Sequence, residues 1–208
     1  MLGTLLDLLF PPRDAERILR GEPEDCLLRF LDPVVTGSGI TALLPYDEPL
    51  VRAAVLETKF HNNERASHLL GTVLAAYLKD ELRERSSYEE RPCILVPVPL
   101  SSVRLRERGH NQAATIARHA AAALSLPLDT SLLIRTRDTV PQTSLAGTAR
   151  RRNLYGAFAL ALTPNPAYLY IVIDDVITTG STLGEVGKVF TGAVILIALA
   201  HSDSHMLS

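Results

Sequence analysis

The chain lacks the features that mark secreted, membrane-spanning or nucleic-acid-coating proteins. It holds two cysteines, Cys26 and Cys93, and no tryptophan. The two thiols form no CxxC pair and no disulfide framework, which points to a reducing, cytoplasmic setting. Cys93, at the edge of an apolar run, reads as a small core residue. No apolar run reaches the roughly 18 residues needed to cross a bilayer, so no membrane insertion is expected. Met1–Pro12 is apolar, yet it lacks a basic start and contains Asp7, which makes it a poor signal peptide. Charge of one sign is lacking too, with Lys+Arg 21 against Asp+Glu 23. A protein that lives on non-specific nucleic-acid contact usually carries a basic excess. The prolines and glycines are spread along the chain, without a low-complexity tract or an internal repeat.

What is present suits a folded protein: 47% hydrophobic and 21% charged residues over 208 positions fit one substantial domain with a small appendage. Residues 1–45 read as an irregular, partly helical N-terminal segment and 46–208 as the main domain. In the segment, Leu2 to Leu9 suggest a short helix stopped by Pro11-Pro12. A second helix is expected over Asp14–Arg20 and a short strand over Ile40–Leu44. From Pro49 the pattern turns helical. Glu64–Arg85 is the clearest helix, because Leu69, Leu70, Val73, Leu74, Tyr77 and Leu78 recur at three and four residues. Next come a strand (Cys93–Val98), a basic loop (Pro99–Gly109) and an alanine-rich helix (Asn111–Leu124). Short strands follow at Leu132–Thr136 and Gly156–Leu162. A strand at Tyr168–Ile173, a helix of about two turns at Leu183–Phe190 and a last strand at Ala193–Ala200 complete the series. Strands alternating with helices predict an α/β fold with a parallel sheet flanked by helices.

The most informative segment runs from Tyr168 to Thr182. A continuous apolar strand, of the kind buried on both faces, leads to Asp174 and Asp175. Ligands of open α/β sheets bind outside the carboxyl ends of strands. Paired acids there need polar partners, and a carboxylate accepts two hydrogen bonds from a cis diol. Val176 and Ile177 lead to Thr178, Thr179, Gly180, Ser181 and Thr182, where a helix opens. Free backbone N–H groups, hydroxyl donors and a glycine that admits close approach make a phosphate cradle. Acids for a ribose and a cradle for its 5′-phosphate, a few residues apart, match ribose 5-phosphate. A nucleotide P-loop does not fit: Gly187-Lys188 would require Gly at 182 and Ser or Thr at 189, and the chain has Thr182 and Val189.

This segment resembles the binding signature for 5-phosphoribosyl-1-diphosphate (PRPP) of type I phosphoribosyltransferases. By that resemblance Asp174 and Asp175 face the ribose and are the catalytic candidates, and Thr178–Thr182 hold the 5′-phosphate. Further upstream, Arg104, Arg106 and Arg108 cluster beside Gly109 and a new helix. They suit either a diphosphate or a solvated basic turn. Arg137–Asn153, with Gln142, Arg150 and Arg151, is long for an idle connection and suits either a lid over bound phosphate or a surface loop. "PVPLSSVRLRERGHNQA", "PQTSLAGTARRRNLYGAF", "LLDLLFPP" and "LPYDEPLVRAAVLETKF" together resemble the ComF family of phosphoribosyltransferase-like proteins, over nearly the whole chain. The resemblance implies a type I phosphoribosyltransferase-like fold. It also implies transfer of a phosphoribosyl group to an acceptor, with Mg²⁺ carried by PRPP and diphosphate released. A link of ComF relatives to competence and DNA uptake makes single-stranded DNA or the competence machinery an alternative partner.

Departures from the family are visible. Relatives commonly carry a four-cysteine zinc finger after the proline pair, whereas here Cys26 stands alone. Four-coordinate structural zinc needs paired Cys/His ligands, so no zinc is expected. His110 stands where an aromatic is usual and reads as a packing or hydrogen-bonding residue. The stretch from Thr182 to Ala193 is short for the family.

Overall fold

A computed structural model describes residues 13–86, 91–137 and 154–202. The organising element is one long strand, Leu169–Ile177. Its apolar residues alternate between the two faces of a sheet: Leu169, Ile171 and Ile173 join one core cluster, and Tyr170 and Val172 the other. A strand with both faces covered reads as a continuous apolar run.

Before it, in chain order, come α1 (Asp14–Leu19), a 3-10 turn (Leu28–Phe30), β1 (Val34–Val35), β2 (Ile40–Pro45), α2 (Pro49–His61) and α3 (Glu64–Ser86). Then follow β3 (Cys93–Pro97), α4 (Ser102–Arg108), α5 (Gln112–Leu124), β4 (Leu133–Arg135) and β5 (Phe158–Leu160). The long strand is β6, followed by α6 (Ser181–Gly187) and β7 (Val194–His201).

The main sheet is five-stranded, in the order β1-β2-β7-β6-β3. All its pairings are parallel except that of β1 with β2. The architecture is thus α/β with a mostly parallel central sheet. Ile40–Leu44, part of the N-terminal segment in the sequence reading, is built into this sheet beside β7. Helices α2, α3 and α5 supply the core of one face, and α6, Phe190 and the β4–β5 ribbon cover the other. Where α3 meets α5, a Cβ on Gly71 would collide with the His119 side chain. Glycine at that position lets the two helices approach closely.

The structure corrects the sequence reading at three places. The strands expected at Leu132–Thr136 and Gly156–Leu162 do not join the parallel sheet. They shorten to three residues each and pair with one another antiparallel, with Arg135 opposite Phe158. Each buries one residue of its three, which suits a half-exposed ribbon. The expected basic loop Pro99–Gly109 is largely the helix α4. Ser101 caps it by accepting a hydrogen bond from the Arg104 amide, and Gly109 closes it in the left-handed conformation. Finally, the acids do not lie beyond the end of their strand. β6 continues through them beside β7, with Asp174 opposite Ala198 and Ile177 opposite His201. On its other side the pairing with β3 ends at Pro97 opposite Ile173.

Among the described residues, no helix is long and apolar enough to cross a membrane.

Candidate functional site

The early end of β3 makes the site. Once Val98 has donated to the Ile173 carbonyl, Pro99 has no N–H to continue the ladder, and the chain turns away. Beyond that point the edge of β6 that carries Asp174 and Asp175 has no paired strand on that side among the described residues. On the opposite side Ala198 and Ala200 of β7 keep the flank small. The resulting cleft has a volume of about 210 Å³ and is lined by both acids, Val98–Leu100, Lys59, Arg104, Arg108, Gln112, Arg135, Val176, Thr178 and Thr182. A smaller hollow adjoins it, formed by the loop from Thr178 to Gly180 and the first residues of α6. Asp174, Val176, Thr178 and Thr182 border both.

Asp175 is buried and well partnered. Its Oδ2 accepts from the Gln112 side-chain amide at 2.9 Å and lies 3.7 Å from the Lys59 ammonium. Its Oδ1 accepts from the Val176 amide at 2.8 Å. Asp174 accepts from the Asp175 amide at 2.9 Å. Desolvation, and then the adjacent Asp175 carboxylate, push Asp174 up to about 8. Two carboxylates this close do not both ionise readily, so the pair holds a proton at neutral pH.

The cations come from two helices and a strand: Lys59 from α2, Arg104 and Arg108 from α4, and Arg135 from β4. Arg104 and Arg108 are four residues apart on α4 and share one face, which lines the cleft. Arg106 lies off that face, exposed to solvent, and does not line the cleft. The three arginines of α4 therefore separate into two that line the cleft with the acids and one that does not. Burial pulls the Arg108 guanidinium below its ordinary value, with the Asp175 carboxylate opposing. Its Nη1 atom is buried with no hydrogen-bond partner among the described residues, and so is Oε1 of Gln112. Both residues line the cleft, and an unsatisfied buried polar atom in a native fold calls for a partner.

The α4–α5 corner is tied to its surroundings. The Asn111 side chain caps α5 through the Ala113 amide and donates to the Val98 carbonyl at the end of β3. His110 sets Nδ1 2.9 Å from the Arg108 carbonyl and Nε2 2.6 Å from the Thr58 carbonyl on α2. This contact holds the α2 turn bearing Lys59 against the turn bearing Arg108.

In the loop, Gly180 has φ of 71°, a left-handed conformation that favours glycine. A Cβ there would stand 3.2 Å from the Ile40 side chain. The hydroxyls of Thr179 and Ser181 are 2.8 Å apart and bonded to each other. Helix α6 has only seven residues, so the loop's own hydroxyls and amides, more than a helix end, define the hollow.

Of the sequence candidates, Asp174, Asp175, Val176, Thr178, Thr182, Arg104 and Arg108 line the cleft, and Ile177, Thr179, Gly180 and Ser181 the adjoining hollow. Gln142, Arg150 and Arg151, with residues 138–153 of the proposed lid, lie outside the described residues. Lys59, Gln112 and Arg135 were not singled out by the sequence.

Over 145 residues the chain is 34% identical to Competence protein F of Haemophilus influenzae, an overlap of 69% of this chain and 62% of the relative. It is 36% identical over 121 residues to DNA utilization protein YhgH of Salmonella typhimurium, covering 57% of this chain and 53% of that one. These relatives support the ComF family. The Escherichia coli protein of the same name as the Salmonella one is 35% identical over 104 residues, half of this chain and 45% of the relative. The chain thus spans between about half and three fifths of the length of these relatives. No family model matches the chain.

Proposed function

We propose that this chain binds PRPP in the cleft and transfers its phosphoribosyl group to an acceptor, with release of diphosphate. The observation that carries the reading is the meeting of an acid pair, a hydroxyl-rich loop and four cations, Lys59, Arg104, Arg108 and Arg135, around the cleft and its adjoining hollow. Asp174 and Asp175 would accept hydrogen bonds from the ribose hydroxyls, and Thr178–Thr182 would hold the 5′-phosphate. Lys59, Arg104 and Arg108 would meet the diphosphate. The mostly parallel sheet, with its acids at the carboxyl end of a central strand, supports a type I phosphoribosyltransferase-like fold.

In the transfer, a lone pair on the acceptor attacks the anomeric carbon. The bond from that carbon to the diphosphate oxygen breaks, and its electron pair leaves with the diphosphate. The acceptor's proton passes to solvent. Positive charge builds on the sugar beside the acid pair, and negative charge on the leaving group beside Arg104 and Arg108, where fixed charges lower the barrier. The donor set suits a substrate that brings its own Mg²⁺: the cations of the cleft face anionic oxygens, and Mg²⁺ needs few protein ligands when phosphates hold it. Its contribution is to offset charge on the diphosphate.

A diphosphate-release assay with PRPP, Mg²⁺ and a panel of nucleobases and amines tests the transfer. Turnover with at least one acceptor, abolished in Asp174→Asn/Asp175→Asn, is expected. Absence of release with every acceptor, despite PRPP binding, would leave a binding protein.

The names of the relatives favour a second reading, a part in DNA uptake or use, in which the chain binds PRPP or single-stranded DNA without catalysis. Exposed Arg106 and the cleft cations offer contacts for phosphates. DNA binding that falls steeply with salt and survives loss of both acids would favour it.

A further inference from the structure

Both ring nitrogens of His110 face main-chain carbonyls. Nδ1 lies 2.9 Å from the Arg108 carbonyl oxygen and Nε2 2.6 Å from that of Thr58. A carbonyl oxygen only accepts, so each contact is a hydrogen bond only if the ring nitrogen donates. A neutral imidazole has one N–H and sets a lone pair against the other carbonyl. Only the imidazolium donates to both. The two carbonyls belong to helix ends: Arg108 is the last residue of α4, and Thr58 is the fourth from the end of α2. Carbonyls there lack a partner within their helix and carry partial negative charge, which favours a cation. The ionisable groups around the ring come from the same turns. Lys59 and His61 follow Thr58 on α2, and Glu57, before it, is engaged by Arg13 and Asn63. Arg104, Glu107 and Arg108 lie on α4, and the first turn of α5 carries no acid.

We propose that charged His110 is a two-ended clamp that sets the spacing of Lys59 and Arg108 for an anionic ligand, so that ligand affinity follows the protonation of the ring. The inference rests on the PRPP reading above and deepens it with a positioning residue and a pH response. His110 is not among the residues that line the cleft; it acts through two that are. The Thr58 carbonyl is joined directly to Lys59, and the other carbonyl is that of Arg108. Lys59 and Arg108 are neighbours, since they flank one ring, that of Phe60, at 5.9 and 5.4 Å from its centroid. Like charges so placed repel, and Asp175 on β6, 3.7 Å from Lys59, offsets part of the repulsion. The clamp supplies the rest by tying the two turns together before a ligand arrives. Loss of one ring proton removes one of its two bonds. The turns then spread, and an anion has to draw them back at a cost to its affinity.

The His110 ring nitrogens are followed by ¹⁵N NMR through the titration of the ring, over about pH 5 to 8, without and with saturating PRPP and Mg²⁺. PRPP affinity is measured by calorimetry over the same range in wild type and in His110→Phe, which keeps the bulk of the ring and removes both donors. At the acid end both ring nitrogens carry a proton. Wild type binds PRPP about tenfold more weakly once the ring has lost one, the worth of one hydrogen bond. By linkage, PRPP moves the midpoint of the ring upward. Asp174 and the phosphates of the ligand titrate in both proteins, so the affinity ratio of wild type to variant isolates His110: it falls from about ten toward one as pH rises. A ratio that is flat with pH, or a ring midpoint that PRPP leaves unmoved, overturns the proposal and leaves His110 a packing residue beside an intact site. Should His110→Phe not fold, the wild-type ring titration alone decides. Wild type that binds no PRPP at any pH sinks the reading beneath the proposal instead.

Discussion

Gln112, the first residue of α5, donates its side-chain amide to Asp175 of β6 at 2.9 Å, across 63 residues of chain. The bond is buried: Gln112 is 3% exposed. It fixes which way the Asp175 carboxylate points and leaves the Gln112 side-chain oxygen buried without a hydrogen-bond partner among the described residues.

Replacing Gln112 by Ala should therefore loosen Asp175 without removing it. A buried acceptor that loses its donor costs about 1–3 kcal/mol, partly offset here by Lys59 and the Val176 amide. PRPP affinity should fall by about tenfold, and urea denaturation should show a loss of about 1–2 kcal/mol. Gln112→Glu should be worse for binding, because it sets a third carboxylate against the pair.

The proton on the acid pair gives stability a definite pH slope. Asp174 is raised to about 8 in the fold, above its unfolded value near 4. Between these limits the folded state holds the extra proton. Its contribution is full below about pH 4 and is lost as pH rises through 8, at up to about 1.4 kcal/mol per pH unit. Asp174→Asn has no proton to lose. Denaturation at pH 5 and pH 8 should show the variant gaining on wild type at the higher pH. A constant difference would mean that Asp174 ionises normally.

The two faces of α4 predict unequal arginines. Arg108→Ala removes a cleft cation and its stack on Phe60, and should weaken PRPP binding by more than about tenfold. Arg106→Ala, on the solvent side, should change it less than about twofold. Parallel titrations of the two variants check this.

On the helix that carries Lys59, Arg13 clamps Glu57 with two hydrogen bonds, at 2.8 and 2.6 Å, and Asn63 adds a third. The Glu57 side chain is buried and that of Arg13 half-exposed. Arg13→Ala should destabilise by about 2 kcal/mol, less than for a fully buried pair because Arg13 is part-solvated. The Arg13 bond holds Glu57 below the usual carboxylate range. The loss should thus shrink as pH falls through that range and the carboxyl neutralises, which thermal melts at pH 4 and pH 7 would reveal.

The sequence made half of this site legible, for a physical reason. Asp174 to Thr182 is continuous in the chain, so its acids, hydroxyls and glycine are read as one unit. Lys59, Gln112 and Arg135 reach the cleft from three other elements, and only the packing of α2, α5 and the β4–β5 ribbon brings them there. Lys59 had a faint signal, as the one lysine in the apolar stretch from Leu50 to Phe60. Charge and the flanking Pro99 and Gly109 disguised α4 as a loop, although Ser101 as a cap and Arg104 and Arg108 four apart carried a helical signature. The short strands at Leu133 and Phe158 had the right β character. Nothing local told them which partner to pair with, because register and partner are tertiary choices.

The central claim is that the cleft binds PRPP through Asp174 and Asp175. Calorimetric titration of PRPP with Mg²⁺ into wild type and into Asp174→Asn/Asp175→Asn tests it most directly. Saturable binding by wild type that disappears in the folded double variant is the result predicted here. A well-folded wild type that gives no heat and no saturation, or a double variant that binds as well as wild type, would contradict it.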